Sequence, residues 1–228
     1  VTDNKSDKLL GLWRGYGDRR LLGLRWLAVS LTAISQPLLS APFNWWPWHW
    51  VAWMPFIWAV LAQNGRGRWW LACWGGTLAN ILIFYWTVNQ MRIFGNIPMS
   101  FCILLTVLLA LYLSVLWILF AIFIPKLHDR FPRAWVFLVP ALLVTLEFAL
   151  PQLFPYMQGV SHYQVIPIFQ LSSITGTYGV SFLLMLSNCV LYRWWELYRS
   201  GQAAPRVQIA VLCGLVVAVL AYGFWRQH

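Results

Sequence analysis

Few side chains in this 228-residue sequence are equipped for acid–base or covalent work, and they are scattered. Glu147 is the only acid inside a long apolar run. A carboxylate in the middle of a bilayer costs several kcal/mol, about 2.5–3.5 for Asp on the insertion scale, and the cost falls near the end of a span, where Glu147 stands. It reads either as a polar contact organising a substrate mouth or as a structural carboxylate, paired with Arg92 or capped by its neighbours. Arg92 has the matching ambiguity: its guanidinium suits a phosphate held by paired hydrogen bonds, and it suits Glu147 equally. Ser161 and His162 put a hydroxyl beside an imidazole. Adjacency alone does not make a nucleophile and base, which need a third, orienting group, so catalysis by His162 is not expected. Cys73, Cys102, Cys189 and Cys213 lie in apolar runs without C-x-x-C spacing and read as small buried hydrophobes. Nothing resembles a metal set, a phosphate loop or a paired-carboxylate centre, so neither a metal nor a cofactor is expected.

The segments that must hold these residues are apolar. Hydrophobic residues make up 61% of the chain, aromatic residues 18% and charged residues 10%, a composition that excludes an ordinary soluble domain. Sixteen Lys and Arg against six acids, a net charge of +10, would suggest nucleic acid in a soluble protein. Here the basic residues fall between apolar runs, where topology signals sit, so no nucleic-acid partner is expected. Runs near residues 21–38, 47–62, 69–88, 100–124, 134–150, 177–192 and 207–225 read as membrane helices. The second is short and carries Pro47 and Pro55. Residues 151–176, uncharged but rich in Pro, Gly, Gln and Ser, read as a re-entrant or interfacial loop whose backbone needs protein or water partners.

Alternating the loops places fourteen basic residues on one side, including Arg66, Arg68, Lys126, Arg130, Arg133 and Arg193, and leaves Arg92 and Arg226 on the other. By the positive-inside rule the N-terminus is cytoplasmic and the C-terminus outside. The expected organisation is an all-α polytopic transmembrane bundle of about seven helices, with a basic cytoplasmic tail over 1–20 and a helical domain over 21–228. No signal peptide is evident in the polar, basic start. Residue 1 is Val, consistent with a fragment boundary or an alternative start codon. The 17 Trp crowd the expected interfaces, as an aromatic belt or as the walls of a lipid groove. Asn80 and Asn188 suggest interhelical hydrogen bonds. Gly75 and Gly76, Gly176 and Gly179, and the Gly214 to Ala218 spacing suggest turns or close helix approach.

Several stretches, in order, resemble the membrane region of apolipoprotein N-acyltransferases. SAPFNWWPW (40–48) is similar to that family's run after the first helix, and Phe84-Tyr85-Trp86 to the aromatic pair closing the third. MRIFGNIP (91–98) resembles the family's outer loop, and EFALPQLFPY (147–156) its Glu followed by a Leu-Phe-Pro-aromatic element. QLSSITGTYGVSFLLMLSN (170–188) resembles the Gln…G-x-Y-G-V/L-S-F-L…Asn signature, the most specific of these. A departure follows Glu147, where many relatives carry an Arg three residues on and this chain has Leu150.

The resemblance implies a bacterial inner-membrane, multi-pass protein with a periplasmic C-terminus. Family members move an acyl chain from a phospholipid to the N-terminal amino group of a lipid-modified Cys on a lipoprotein, through a thioester on a catalytic Cys. That Cys, with a Glu and a Lys, sits in a nitrilase-like domain expected beyond residue 228, so no catalytic residue carries over. The chain is expected to be inactive alone, positioning phospholipid and lipoprotein acyl chains, with a separately encoded nitrilase-like subunit as a possible partner. Tyr85, Trp86, Arg92, Glu147, Tyr156, His162 and Tyr178 are the candidate positioning residues. The alternatives are a non-catalytic scaffold for another envelope-assembly protein and, third, a small-solute transporter. The transporter lacks support from intramembrane charges or internal repeats.

Overall fold

The computed structural model describes residues 19–154 and 156–227, with the side chains of 19 and 20 left aside. The expected basic tail therefore lies almost wholly outside the described residues. Within them the chain is an all-α bundle with no strand. In chain order it runs through α1 (Arg19–Leu38), a 3₁₀ turn (Trp46–Trp50), α2 (Met54–Leu61), α3 (Gly65–Phe84) and α4 (Trp86–Phe94). It continues with α5 (Met99–Arg130), α6 (Trp135–Ala149), a second 3₁₀ turn (Gln158–His162), two four-residue helices, α7 (Ile166–Phe169) and α8 (Ser172–Thr175), then α9 (Thr177–Arg199) and α10 (Arg206–Gln227).

Among the described residues three helices are long and apolar enough to cross a membrane: Leu21–Leu38 within α1, α5 and α10. The pair α3 and α4, bent by 50° at Tyr85, makes a fourth if counted as one span. The run expected over 47–62 is not a span. Pro47 and Pro55 each stand in the first turn of a helix, where the missing N–H costs nothing, and they divide the run into a five-residue 3₁₀ turn and the eight-residue α2. The short α2 instead packs into the bundle, with Phe56, Ile57, Ala59 and Val60 buried and Met54, Pro55, Trp58 and Leu61 half-buried. The run expected over 69–88 likewise yields to the bend at Tyr85.

Packing begins with an antiparallel pair. Gly75 and Gly76 let α3 approach its neighbours: a Cβ on Gly76 would stand 2.9 Å from the Ser114 Cα of α5, and one on Gly75 would strike Val29 of α1. Into the resulting corner α2 and its lead-in insert an aromatic core. Trp53 meets Trp117 at 4.6 Å between ring centroids, and Phe56 stacks on Phe120 at 6.3 Å. The third layer is α9 against α6, with Trp135 edge-on to Tyr192 at 6.1 Å. At this end of the bundle Glu196 bonds Arg193 at 2.6 Å and meets His128 at 3.4 Å.

Three smaller expectations need correction. Asn80 bonds the Gly76 carbonyl of its own helix, 2.8 Å away, rather than a neighbour. Nothing lies within 4 Å of a Cβ on Gly214, so the Gly214 to Ala218 spacing packs no helix. Cys213 is exposed on α10 and Cys73 only half-buried, while Cys102 and Cys189 are buried as expected. The small residue that does seat α10 is Gly223, whose Cα lies against the Pro167 carbonyl with no room for a side chain.

Candidate functional site

At the end of α6 the chain cannot continue as helix, because a residue before proline is driven out of the α region. Leu150 is extended and Pro151 follows. The segment beyond it folds back over the bundle in 3₁₀ and short helical turns, and Glu147, 4% exposed, meets it. The Gln158 amide N–H donates to the Glu147 carboxylate at 2.9 Å, and Gly159 N–H donates to Ser181 Oγ at 2.8 Å.

Gln158 then joins segments far apart in sequence. Its side-chain oxygen faces Trp53 Nε1 at 3.2 Å and His49 Nε2 at 2.8 Å. An indole N–H can only donate, so the amide atom between them is the acceptor and His49 must carry its proton on Nε2. Ser161 Oγ lies 2.7 Å from His49 Nδ1 and 2.9 Å from the Gln158 carbonyl, two acceptors that share its single proton, and it accepts from His162 Nδ1 at 2.9 Å. Burial pushes the His162 imidazolium down from 6.5 to about 4, keeping the ring neutral between the edges of Trp46 and Trp50.

Ser161 thus has two imidazole neighbours, and His49 has an orienting amide. The arrangement looks like a nucleophile, base and orienter, but Ser161, His49 and His162 are all within 2% of full burial, and none of the three lines the cavity described next. Its chemistry is to brace Gln158.

The surface that faces open space lies on the other side of Gln158. Glu147, Gln158, Gln36, Gln152, Tyr156 and Tyr112 line a cavity of about 60 Å³ between the ends of α1, α3 and α6 and the middle of α5. That is room for a few water-sized groups, not for an acyl chain. Glu147 Oε2 and Gln36 Oε1 are buried without a hydrogen-bond partner among the described residues. Since Gln36 Nε2 is spent on the Thr32 carbonyl at 3.2 Å, the free Gln36 atom is an acceptor, while Glu147 Oε2 accepts when its carboxyl is ionised and can donate when it is protonated; the cavity suits a hydroxyl or water, and an ammonium with the ionised form. The Tyr156 hydroxyl donates to the Gln36 carbonyl at 3.1 Å and meets Ser40 Oγ at 3.2 Å. Burial raises its phenol above the ordinary value of 10.

Among the residues singled out from sequence, the structure brings Glu147 and Tyr156 to this cavity. Trp86 stands beside it in an aromatic cluster, 5.5 Å from Phe154 and 6.5 Å from Phe84. Tyr85 is 68% exposed at the bend between α3 and α4. Tyr178 packs edge-on against Phe148 at 5.9 Å, away from the cavity lining. His162 lies behind Gln158. Arg92 is exposed on α4 and forms no ion pair with Glu147, whose partner is backbone. Sequence reasoning missed Gln36, His49 and Gln158. The only available signal was that Gln and His sat inside apolar or Trp-rich runs.

An apolar helical bundle closing over a small polar cavity, with aromatic side chains crowding that end, defines a membrane-type helical domain. Residues 27–190 match the model of the apolipoprotein N-acyltransferase N-terminal domain, and the chain belongs to that family. It is 29% identical over 186 residues to an apolipoprotein N-acyltransferase of Geobacter metallireducens, covering 76% of this chain and 34% of that protein. It is 26% identical over 154 residues to apolipoprotein N-acyltransferase 2 of Leptospira interrogans, covering 64% of this chain and 26% of that protein. The chain therefore spans only about a quarter to a third of the length of these relatives.

Proposed function

We propose that this chain is the multi-pass membrane module of an apolipoprotein N-acyltransferase, seated in a bacterial inner membrane with its C-terminus periplasmic. It holds phospholipid and lipoprotein acyl chains while a nitrilase-like domain, elsewhere in the same protein or on a partner, performs the transfer. The observation that carries the reading is the cavity beside Trp86 and Phe154, where Glu147 and Gln36 offer acceptors at the aromatic end of the bundle. The cavity takes the small polar donor of a headgroup or amino terminus. The exposed side chains beside it, Trp86 and Leu153 among them, offer surface to acyl chains.

Two measurements test this. The purified 228-residue chain, mixed with phospholipid and a diacylated lipopeptide, is expected to show no acyl transfer, and turnover would overturn the division of labour. A phospholipid carrying a photoreactive headgroup is expected to label the ends of α3 and α6 and the segment around Phe154. Labelling spread evenly over the bundle would remove the assignment of the cavity.

A further inference from the structure

We propose that the opposite, basic end of the bundle carries a second lipid site, a groove between the start of α3 and the last third of α5 that holds an anionic phospholipid. The inference rests on the membrane-spanning reading above but not on acyl transfer, and the site lies apart from the cavity at Glu147.

The groove encloses about 660 Å³. Arg66, Trp69 and Trp70 of α3 face Ile118, Ile122 and Lys126 of α5 across it. Arg68 also borders it, but Arg68 donates to the Val60 and Gln63 carbonyls and so ties down the corner between α2 and α3. Arg66 and Lys126 are exposed, and neither is in a salt bridge among the described residues. Among the described residues no carboxylate lines the groove. Two cations at its mouth complement a phosphate.

The floor distinguishes a lipid from a free anion. Ile122 and Ile118 follow Lys126 down α5 at one-turn and two-turn spacing, about 12 Å of apolar surface below the charge at 1.5 Å per residue. Trp69 and Trp70, 55% and 68% exposed, wall the groove beside it. A cationic mouth over an apolar trough with indoles at the junction matches a headgroup over its acyl chain. An acidic peptide or inorganic phosphate would use only the mouth.

The test reconstitutes the full chain in vesicles of equal parts phosphatidylcholine and phosphatidylglycerol, releases it in mild detergent and counts retained lipid by native mass spectrometry. Preferential retention of phosphatidylglycerol is expected, weakened about thirtyfold in Arg66→Ala/Lys126→Ala and unchanged in Arg133→Ala, a basic residue outside the groove. Lys126→Ala alone is expected to fall between, which keeps the test decisive should the double variant lose its helicity. Unchanged retention in both groove variants, or equal loss in Arg133→Ala, would overturn the site. Displacement of phosphatidylglycerol by added inorganic phosphate would reduce it to an anion site and overturn the lipid assignment. Entry into vesicles without any preference defeats this inference alone, whereas failure to enter defeats the membrane reading with it.

Discussion

Asn188 offers the sharpest test of how the bundle holds its site. It is fully buried on α9, and its side chain reaches out of the helix to the lead-in of α2: Oδ1 accepts from Trp53 N–H at 2.8 Å, and Nδ2 donates to the His49 carbonyl at 2.9 Å. Asn188→Ala strands a backbone donor and a backbone acceptor. Each stranded buried group costs about 1–3 kcal/mol, whereas hydrogen bonds between membrane helices average about 0.6 and reach about 1.7, because an unfolded chain in lipid also finds partners. Here the stranded groups cannot move to new partners, since Trp53 is clamped against Trp117 and Phe120. We therefore expect a loss of about 2–4 kcal/mol, or a fall of about 10 °C in Tm for a chain of this size. Asn80→Ala is the matched control: its one bond runs to a carbonyl of its own helix, and less than about 1 kcal/mol should be lost. Denaturant unfolding in detergent, followed by tryptophan fluorescence, measures both. If the two variants are equally stable, the claim that Asn188 anchors the α2 lead-in is wrong.

Three further outcomes follow from the same geometry. Gly76→Val should cost about 1–3 kcal/mol by overpacking, because a Cβ already lies 2.9 Å from the Ser114 backbone; wild-type unfolding would mean that α3 and α5 separate freely. Glu147→Gln keeps an acceptor for Gln158 N–H and should preserve the fold, whereas Glu147→Leu removes it and should cost about 1–3 kcal/mol; equal stability of the two would show that the bond at 2.9 Å does not hold the loop. His162 has a folded pKa of about 4 against 6.5 when free, so the unfolded chain takes up the proton first as pH falls. Stability should be full above pH 6.5 and decline between 6.5 and 4, and His162→Phe should flatten part of that slope in unfolding curves taken across the range.

How much of this was legible beforehand depended on the range of the signal. The starts of α1, α5, α9 and α10 follow from apolar runs bounded by Pro, Gly and charge, because local hydropathy and helix propensity agree there, whereas α5 and α9 run on past the expected 124 and 192 to Arg130 and Arg199. The run over 47–62 misled because an internal, folded-back segment is as apolar as a span, and only its two prolines told otherwise. Asn80 and Asn188 look alike in sequence, each mid-helix in an apolar context. Which of them reaches another element depends on which face meets a neighbour, and the register between helices is not written in either helix alone. His49 stood hidden in a Trp-rich run read as an interfacial belt, and its partners Gln158 and Ser161 lie more than a hundred residues away. Pairings of that range arise from packing.

The final helix invites a different question, that of what keeps it in place. Only Val219 and Gly223 of α10 are buried, and its protein contacts are chiefly with α7 and α9. A helix so thinly attached draws little of its position from the protein. On the membrane reading proposed above, its apolar faces are satisfied by lipid, and the bilayer acts as its packing partner. Removing lipid should therefore release α10 before the pairs α3–α5 and α6–α9 loosen. The bundle would then come apart in order of how much each helix owes to its neighbours and how much to the medium.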